Sequence, residues 1–186
     1  MSIFLKNVRL SFPDLFVAKQ FQGKPDSPFL YKATFLVKPG SGNDKLVWDE
    51  INRIATNKWG AKAESVLAGI KGQKKEFCYL DGSVKEYAGF EGMWSLSSNR
   101  GQDQGPPAVI DRDKSPLFAR DGKPYGGCYV NAKVSIWAQD NQWGKAMRCT
   151  LEAVQFAGDG DAFGGSGPAS AEGFEEVVVE EVGDLM

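Results

Sequence analysis

The stretch that most constrains this chain is "CYVNAKVSIWAQDNQWGKAMRCTLEAVQF", residues 128–156. Its first half alternates without a break. Cys128, Val130, Ala132, Val134 and Ile136 are apolar, with Tyr129, Asn131, Lys133, Ser135 and Trp137 between them. A side-chain period of two belongs to a strand, so each set shares one face. "DNQWG" reads as a turn. "KAMRCTLEAVQF" then returns with Met147, Cys149, Leu151 and Ala153 inward and Arg148, Thr150 and Glu152 outward. A hairpin with one wholly apolar face lays that face on a core and leaves the other to solvent.

Upstream, "SIFLKNVRLSF" reads as a strand ended by Pro13, and residues 16–29 as a polar connection. "FLYKATFLVKP" is the next strand, with Phe29, Tyr31, Ala33, Phe35 and Val37 on one face and Lys32 on the other, more basic face. "GNDKLVWDEINRIATNKWG" has helical spacing, a cap at Asn43 or Asp44 and a stop at Gly60. "AKAESVLAGIKG" is a shorter helix ended by Gly69 or Gly72. "KKEFCYLDGSVKEYAGFEG" suggests a hairpin turning on "DG", and "MWSLSSNRG" a further strand. Residues 100–126, punctuated by Pro and Gly, form an extended arm that carries Arg100, Arg112, Lys114, Arg120, Lys123 and Tyr125. Strands with helices inserted mid-chain predict a mainly β domain: an OB-fold, a five-stranded barrel with a helical insertion and a long arm. A β-sandwich or an α+β sheet also satisfies this order.

Charge divides the chain. The formal net charge is −2, but residues 158–186 hold eight acidic residues and no basic one, so residues 1–157 carry +6. This asymmetry suggests a nucleic-acid-binding body with an acidic interaction tail. The expected division is a domain over 1–157, a Gly/Ser/Ala linker over 158–172 and a disordered acidic tail over 173–186. The tail, "GFEEVVVEEVGDLM", mixes charge with apolar residues. Phe174, Glu175, Glu176, Glu180, Glu181, Asp184 and Leu185 are its candidate partner contacts.

Other classes are disfavoured. There is no histidine, which removes the usual general base and the commonest metal ligand. No phosphate-binding GxxxxGK[ST] loop occurs, and "GDGD" lacks the spacing of a calcium loop. The reading is therefore no enzyme, no metal and no cofactor. Cys78, Cys128 and Cys149 are read as small buried hydrophobes. No apolar run reaches the roughly 20 residues that span a bilayer, and no signal peptide is legible, so a cytoplasmic, membrane-free protein is expected.

The outward face of the long hairpin suggests the ligand. Tyr129, Asn131, Lys133 and Trp137 share it, and Arg148 and Trp143 extend it. Aromatic rings stack on bases, and the cations between them meet phosphates. Lys32, Arg100, Arg112, Lys114 and Tyr125 complete the candidate DNA-binding set. The competing reading has Tyr129 and Trp137 covering the barrel's end or packing under a loop.

The chain also resembles a family. "YGGCYVNAKVSIWAQDNQWGKAMRCTLEAVQFAGDGDAFGG", with "NVRLSFPDLFVAKQF" and "KATFLVKP", resembles the phage-encoded single-stranded-DNA-binding proteins of tailed bacteriophages, of the Enterobacter siphophage type. The resemblance implies an OB-fold that coats single-stranded DNA without sequence preference during phage replication and recombination, in the infected cell's cytoplasm. It implies a tail that recruits phage or host replication proteins and competes with DNA for the basic groove. "DLM" departs from the aromatic-ended tails of related proteins. Weaker duplex binding and self-association along DNA stay open. The alternative is a protein–protein module of the phage replication complex that binds DNA only weakly.

Overall fold

In a computed structural model, residues 1–21 and 24–163 are described. β1 (Ser2–Lys19) lies antiparallel between β2 (Leu30–Val37) and β6 (Tyr129–Asn141). β2 pairs with β4 (Trp94–Gly101), and β6 pairs with β7 (Gly144–Gly158). A parallel contact of Asn99 with Thr150 joins β4 to β7 and closes the ring 1-2-4-7-6. This is the expected five-stranded barrel. Two short strands flank it: β3 (Tyr79–Asp81) on β4, and β5 (Ala108–Ile110) parallel to β7. Leu5, Leu10, Phe35, Leu96, Val134 and Leu151 fill the interior and are fully buried.

The helical insertion runs between β2 and β3 as α1 (Gly42–Trp59) and α2 (Ala63–Ile70). Ser41, not Asn43 or Asp44, caps α1: its hydroxyl accepts from the Asp44 amide at 3.2 Å. The two expected caps are engaged elsewhere. Asn43 exchanges two hydrogen bonds with the Lys6 backbone, and the Asp44 carboxylate accepts from the Gly40 amide and the Tyr79 hydroxyl. Val47, Ile51 and Ala55 face the core, and Trp48 packs against Phe77, Tyr79 and Trp94. Gly60 ends the helix as expected. Lys71 caps α2, so Gly69 lies inside that helix and does not end it.

Four local expectations change. Pro13 does not end β1, because Phe12 and Pro13 together stand opposite Ala33 in a bulge, where no ladder hydrogen bond is asked of proline. The polar connection therefore starts only at residue 20. "DG" does not turn a hairpin: the Asp81 carboxylate accepts from the Ser83 amide and starts a 3-10 turn over residues 82–84, while β3 pairs with β4. Ala153 is not inward. Lys133 pairs with Ala153 and Val134 with Leu151, so Glu152 is an extra residue, and beyond it Val154 and Phe156 point inward instead. The arm is shorter and more regular than expected, since Arg100 belongs to β4 and residues 108–118 fold back as a small hairpin.

Residues 158–163, expected as linker, are bonded to the body. Tyr125 donates to the Asp159 carboxylate at 2.7 Å, Arg9 donates to the Asp161 carbonyl at 2.6 Å, and the Phe163 amide donates to the Gly126 carbonyl at 2.9 Å. The candidate tail contacts Phe174, Glu175, Glu176, Glu180, Glu181, Asp184 and Leu185 lie outside the described residues. Cys78, Cys128 and Cys149 are buried, as read, and burial pushes the Cys78 thiol up to about 12 and the Cys128 thiol to about 11. Neither forms the reactive thiolate at neutral pH.

Candidate nucleic-acid interface

Strand register brings outward residues from four strands into one lane. Lys32 of β2 pairs with Asn99 of β4, Asn99 with Thr150 of β7, and Thr150 with Ser135 of β6. Neighbouring strands lie about 4.8 Å apart, so this lane crosses roughly 14 Å of barrel surface. Trp137 stands beside it. The Trp137 indole donates to the Thr150 hydroxyl at 3.1 Å, which fixes the ring while 45% of the residue stays exposed. Arg148, opposite Trp137 across the ladder, donates to Gln139 and to the Lys75 carbonyl, so its guanidinium is held in place. Trp143, at the β6–β7 turn, is 79% exposed.

At the lane's other end, the β1–β2 connection adds residues the sequence reading missed. Phe21 is exposed, and the Lys24 and Lys32 ammonium groups each lie 5.6 Å from its ring centre. A ring flanked by two cations can stack on a base and hold the phosphates beside it. An aromatic between lysines in a Gly/Pro-containing loop, "KQFQGKP", was a usable signal. Asn99 and Thr150 carried no such signal, since only the fold brings them together.

The remaining candidates sit elsewhere. Arg100 turns to backbone, donating to the carbonyls of Gly105, Gln104 and Leu151. Tyr125 is only 9% exposed and is bonded to Asp159, so its ring is not presented to a ligand. Tyr129 is partly covered: Gly160 lies close against its ring, and Tyr129 lines a cleft of about 550 Å³ with Arg9, Leu36, Lys38 and Met93. Asn131 accepts from the Asn7 amide and donates to Gln155. Arg112 donates to the Ala157 carbonyl and lies over Phe156, while Lys114 is exposed in the arm's hairpin turn. Lys133 is 3.8 Å from the Glu152 carboxylate and 5.8 Å from the Phe4 ring. Glu152 also accepts from Ser2 and Ser135. Burial opposes its charge, but these hydroxyl bonds and nearby Lys133 and Arg100 outweigh it and hold the carboxyl below the usual glutamate range. Lys133 thus faces an anion at neutral pH.

Among the described residues, no cluster of His, Cys, Asp and Glu could hold a metal ion, and no helix is long and apolar enough to cross a membrane.

Known proteins resemble this chain in sequence and fold. A family model described as "Enterobacter phage Enc34, ssDNA-binding protein" matches residues 1–185. The protein p50 of Acyrthosiphon pisum secondary endosymbiont phage 1 is 42% identical over 189 residues, which is 100% of this chain and 99% of that one. The single-stranded DNA-binding protein of bacteriophage Enc34, solved in complex with ssDNA, superposes with a TM-score of 0.69 at 26% identity, covering 88% of this chain and 89% of that one. Gp2.5, a single-stranded DNA-binding protein of bacteriophage T7, shares the fold with a TM-score of 0.57 at 16% identity, covering 95% and 98%.

Proposed function

This chain belongs to the family of the Enterobacter phage Enc34 ssDNA-binding protein, and from that premise we propose that it binds single-stranded DNA during phage replication and recombination, as a coat and not as an enzyme. The single observation that carries the proposal is the continuous lane from Phe21 and Lys24 through Lys32, Asn99 and Thr150 to Trp137, with Trp143 exposed at the β6–β7 turn beyond it. OB barrels take oligonucleotides on the face of their second and third strands and on the loops after the first and fourth. Here those are β2, β4, the Phe21 loop and the Trp143 turn. Bases stack on Phe21, Trp137 and Trp143, and phosphates meet Lys24, Lys32 and Arg148. Stacking is indifferent to base identity, so binding carries little sequence preference. The experiment is a fluorescence titration with oligo-dT: tryptophan quenching that weakens steeply with salt is expected, and unquenched emission at low salt would sink the reading.

The acidic end has a separate role in this proposal. Residues 164–186 carry six carboxylates and no cation, so deleting them takes the formal charge from −2 to +4. A tethered anion competes with phosphate for the lane, and its Phe-, Val- and Leu-dotted sequence offers contacts to replication proteins in the infected cell. Truncation after Phe163, which spares the bonded residues 158–163, is expected to tighten oligo-dT binding at low salt and to abolish capture of a replication protein. Equal affinity with and without the tail would leave partner binding as its only role.

A further inference from the structure

Phe12 has a left-handed backbone, with φ at 49°. For a bulky residue that conformation is strained, and such strain persists only where something over-determines it. Burial of the ring is the common return, yet Phe12 is 47% exposed. The bulge explains the geometry: Ser11 pairs with Thr34 and Asp14 with Lys32, which leaves Phe12 and Pro13 to share one position opposite Ala33.

The Phe12 ring meets two others. It stands edge-on to Tyr87 at 4.7 Å and lies 6.1 Å from Phe90, and Tyr87 and Phe90 are 5.3 Å apart. Phe90 is 1% exposed and Tyr87 is 51% exposed. Two rings therefore stand half in water on a third that is buried. Rings held this way lose little rotamer freedom when a ligand arrives. Their place is also informative. The bulge is bracketed by Thr34 and Lys32 of β2, and Lys32 is the cation at the end of the lane.

We propose that Phe12 and Tyr87 form a second base-stacking platform, which carries the single strand from the lane over β2 onto β1. The occupant is single-stranded DNA, because the platform is continuous with the lane through Lys32 and because two half-exposed rings offer flat bases a stacking surface. The inference rests on the reading that the lane binds DNA. It adds a site at which the strained backbone has a purpose: the bulge swings Phe12 out to the surface where a base can reach it.

The test uses the full-length protein and four variants. Phe12→Gly removes the ring and relieves the positive φ, so thermal stability should hold or rise. Its affinity for oligo-dT of about 16 nucleotides, the upper range for one OB barrel, should fall about tenfold or more. For oligo-dT of about 4 nucleotides, too short to occupy lane and platform together, the loss should largely vanish. Tyr87→Ala, outside every strand, should show the same length-dependent loss, and Tyr87→Phe should restore wild-type binding. Wild-type affinity of both ring-removing variants, beside weakened Trp137→Ala, overturns the platform and keeps the lane. Wild-type affinity of all three overturns both. Loss with Phe12→Gly and none with Trp137→Ala refutes the lane, and with it the platform as the lane's continuation.

Discussion

The two ends of β6 carry the same kind of outward row and have different chemistry. At one end, Lys133 meets Glu152, Ser135 and Ser2 share that carboxylate, and Tyr129 is partly covered by Gly160. At the other, Trp137 is fixed by one hydrogen bond and stays about half exposed, beside a positioned Arg148. The first end is internally satisfied. The second leaves an apolar ring in water, which costs free energy until something covers it. An outward cation is available to phosphate only when no fixed anion has already met it.

Four measurements sharpen or break that contrast. The largest effect should come from turning to the inward neighbour of Trp137. Ile136→Ala should lower unfolding free energy by about 2–5 kcal/mol in a denaturant titration, because Ile136 is buried in a packed core. Trp137→Ala should leave stability nearly unchanged and weaken oligo-dT binding by about 1–3 kcal/mol. If that variant unfolds instead, Trp137 is part of the core and the two ends do not differ as argued. Salt dependence then separates the lysines. The slope of log affinity against log salt should fall by about 0.7 for Lys32→Ala and hardly at all for Lys133→Ala. Equal slopes for the two would erase the distinction. Glu152→Gln should release Lys133, raise affinity a few-fold at low salt and increase the slope.

Glu152 also has a pH signature, the smallest of these effects. Its folded carboxyl sits below its ordinary value of 4.5, so it adds stability above that pH and loses the contribution as pH falls through the lower folded value. Glu152→Gln should flatten the acid limb of the stability curve in that window. An unchanged acid limb would mean that the hydroxyl bonds to Glu152 contribute nothing.

The legible part of this molecule was its periodicity. The inward set of Val130, Ala132, Val134 and Ile136 followed from alternation alone, and so did Tyr31, Ala33, Phe35 and Val37 of β2. Alternation failed where an extra residue entered a strand. Glu152 and the Phe12–Pro13 pair each shift the phase; nothing in residue type announces the first, and Pro13 reads as a strand end although a bulge also accommodates proline. Trp137 and Trp143 were correctly placed in solvent, whereas Tyr125 and Arg100 turned inward to hydrogen-bond partners that are distant in sequence.

By itself, the sequence determined which faces are apolar, where the helices fall, how charge divides between body and acidic end, and which family the chain resembles. Those properties are local or additive, set by side-chain period, capping chemistry and counts of ionisable groups. Tertiary structure alone decided which outward residues meet. Lys32, Asn99, Thr150 and Trp137 lie far apart in the chain and share a surface only because β4 and β7 close the barrel. It also decided that Lys133 faces Glu152 and that Phe12 stands on Tyr87. The physical reason is register: side-chain period says which face a residue takes, but only the pairing of distant strands says which neighbours it finds there.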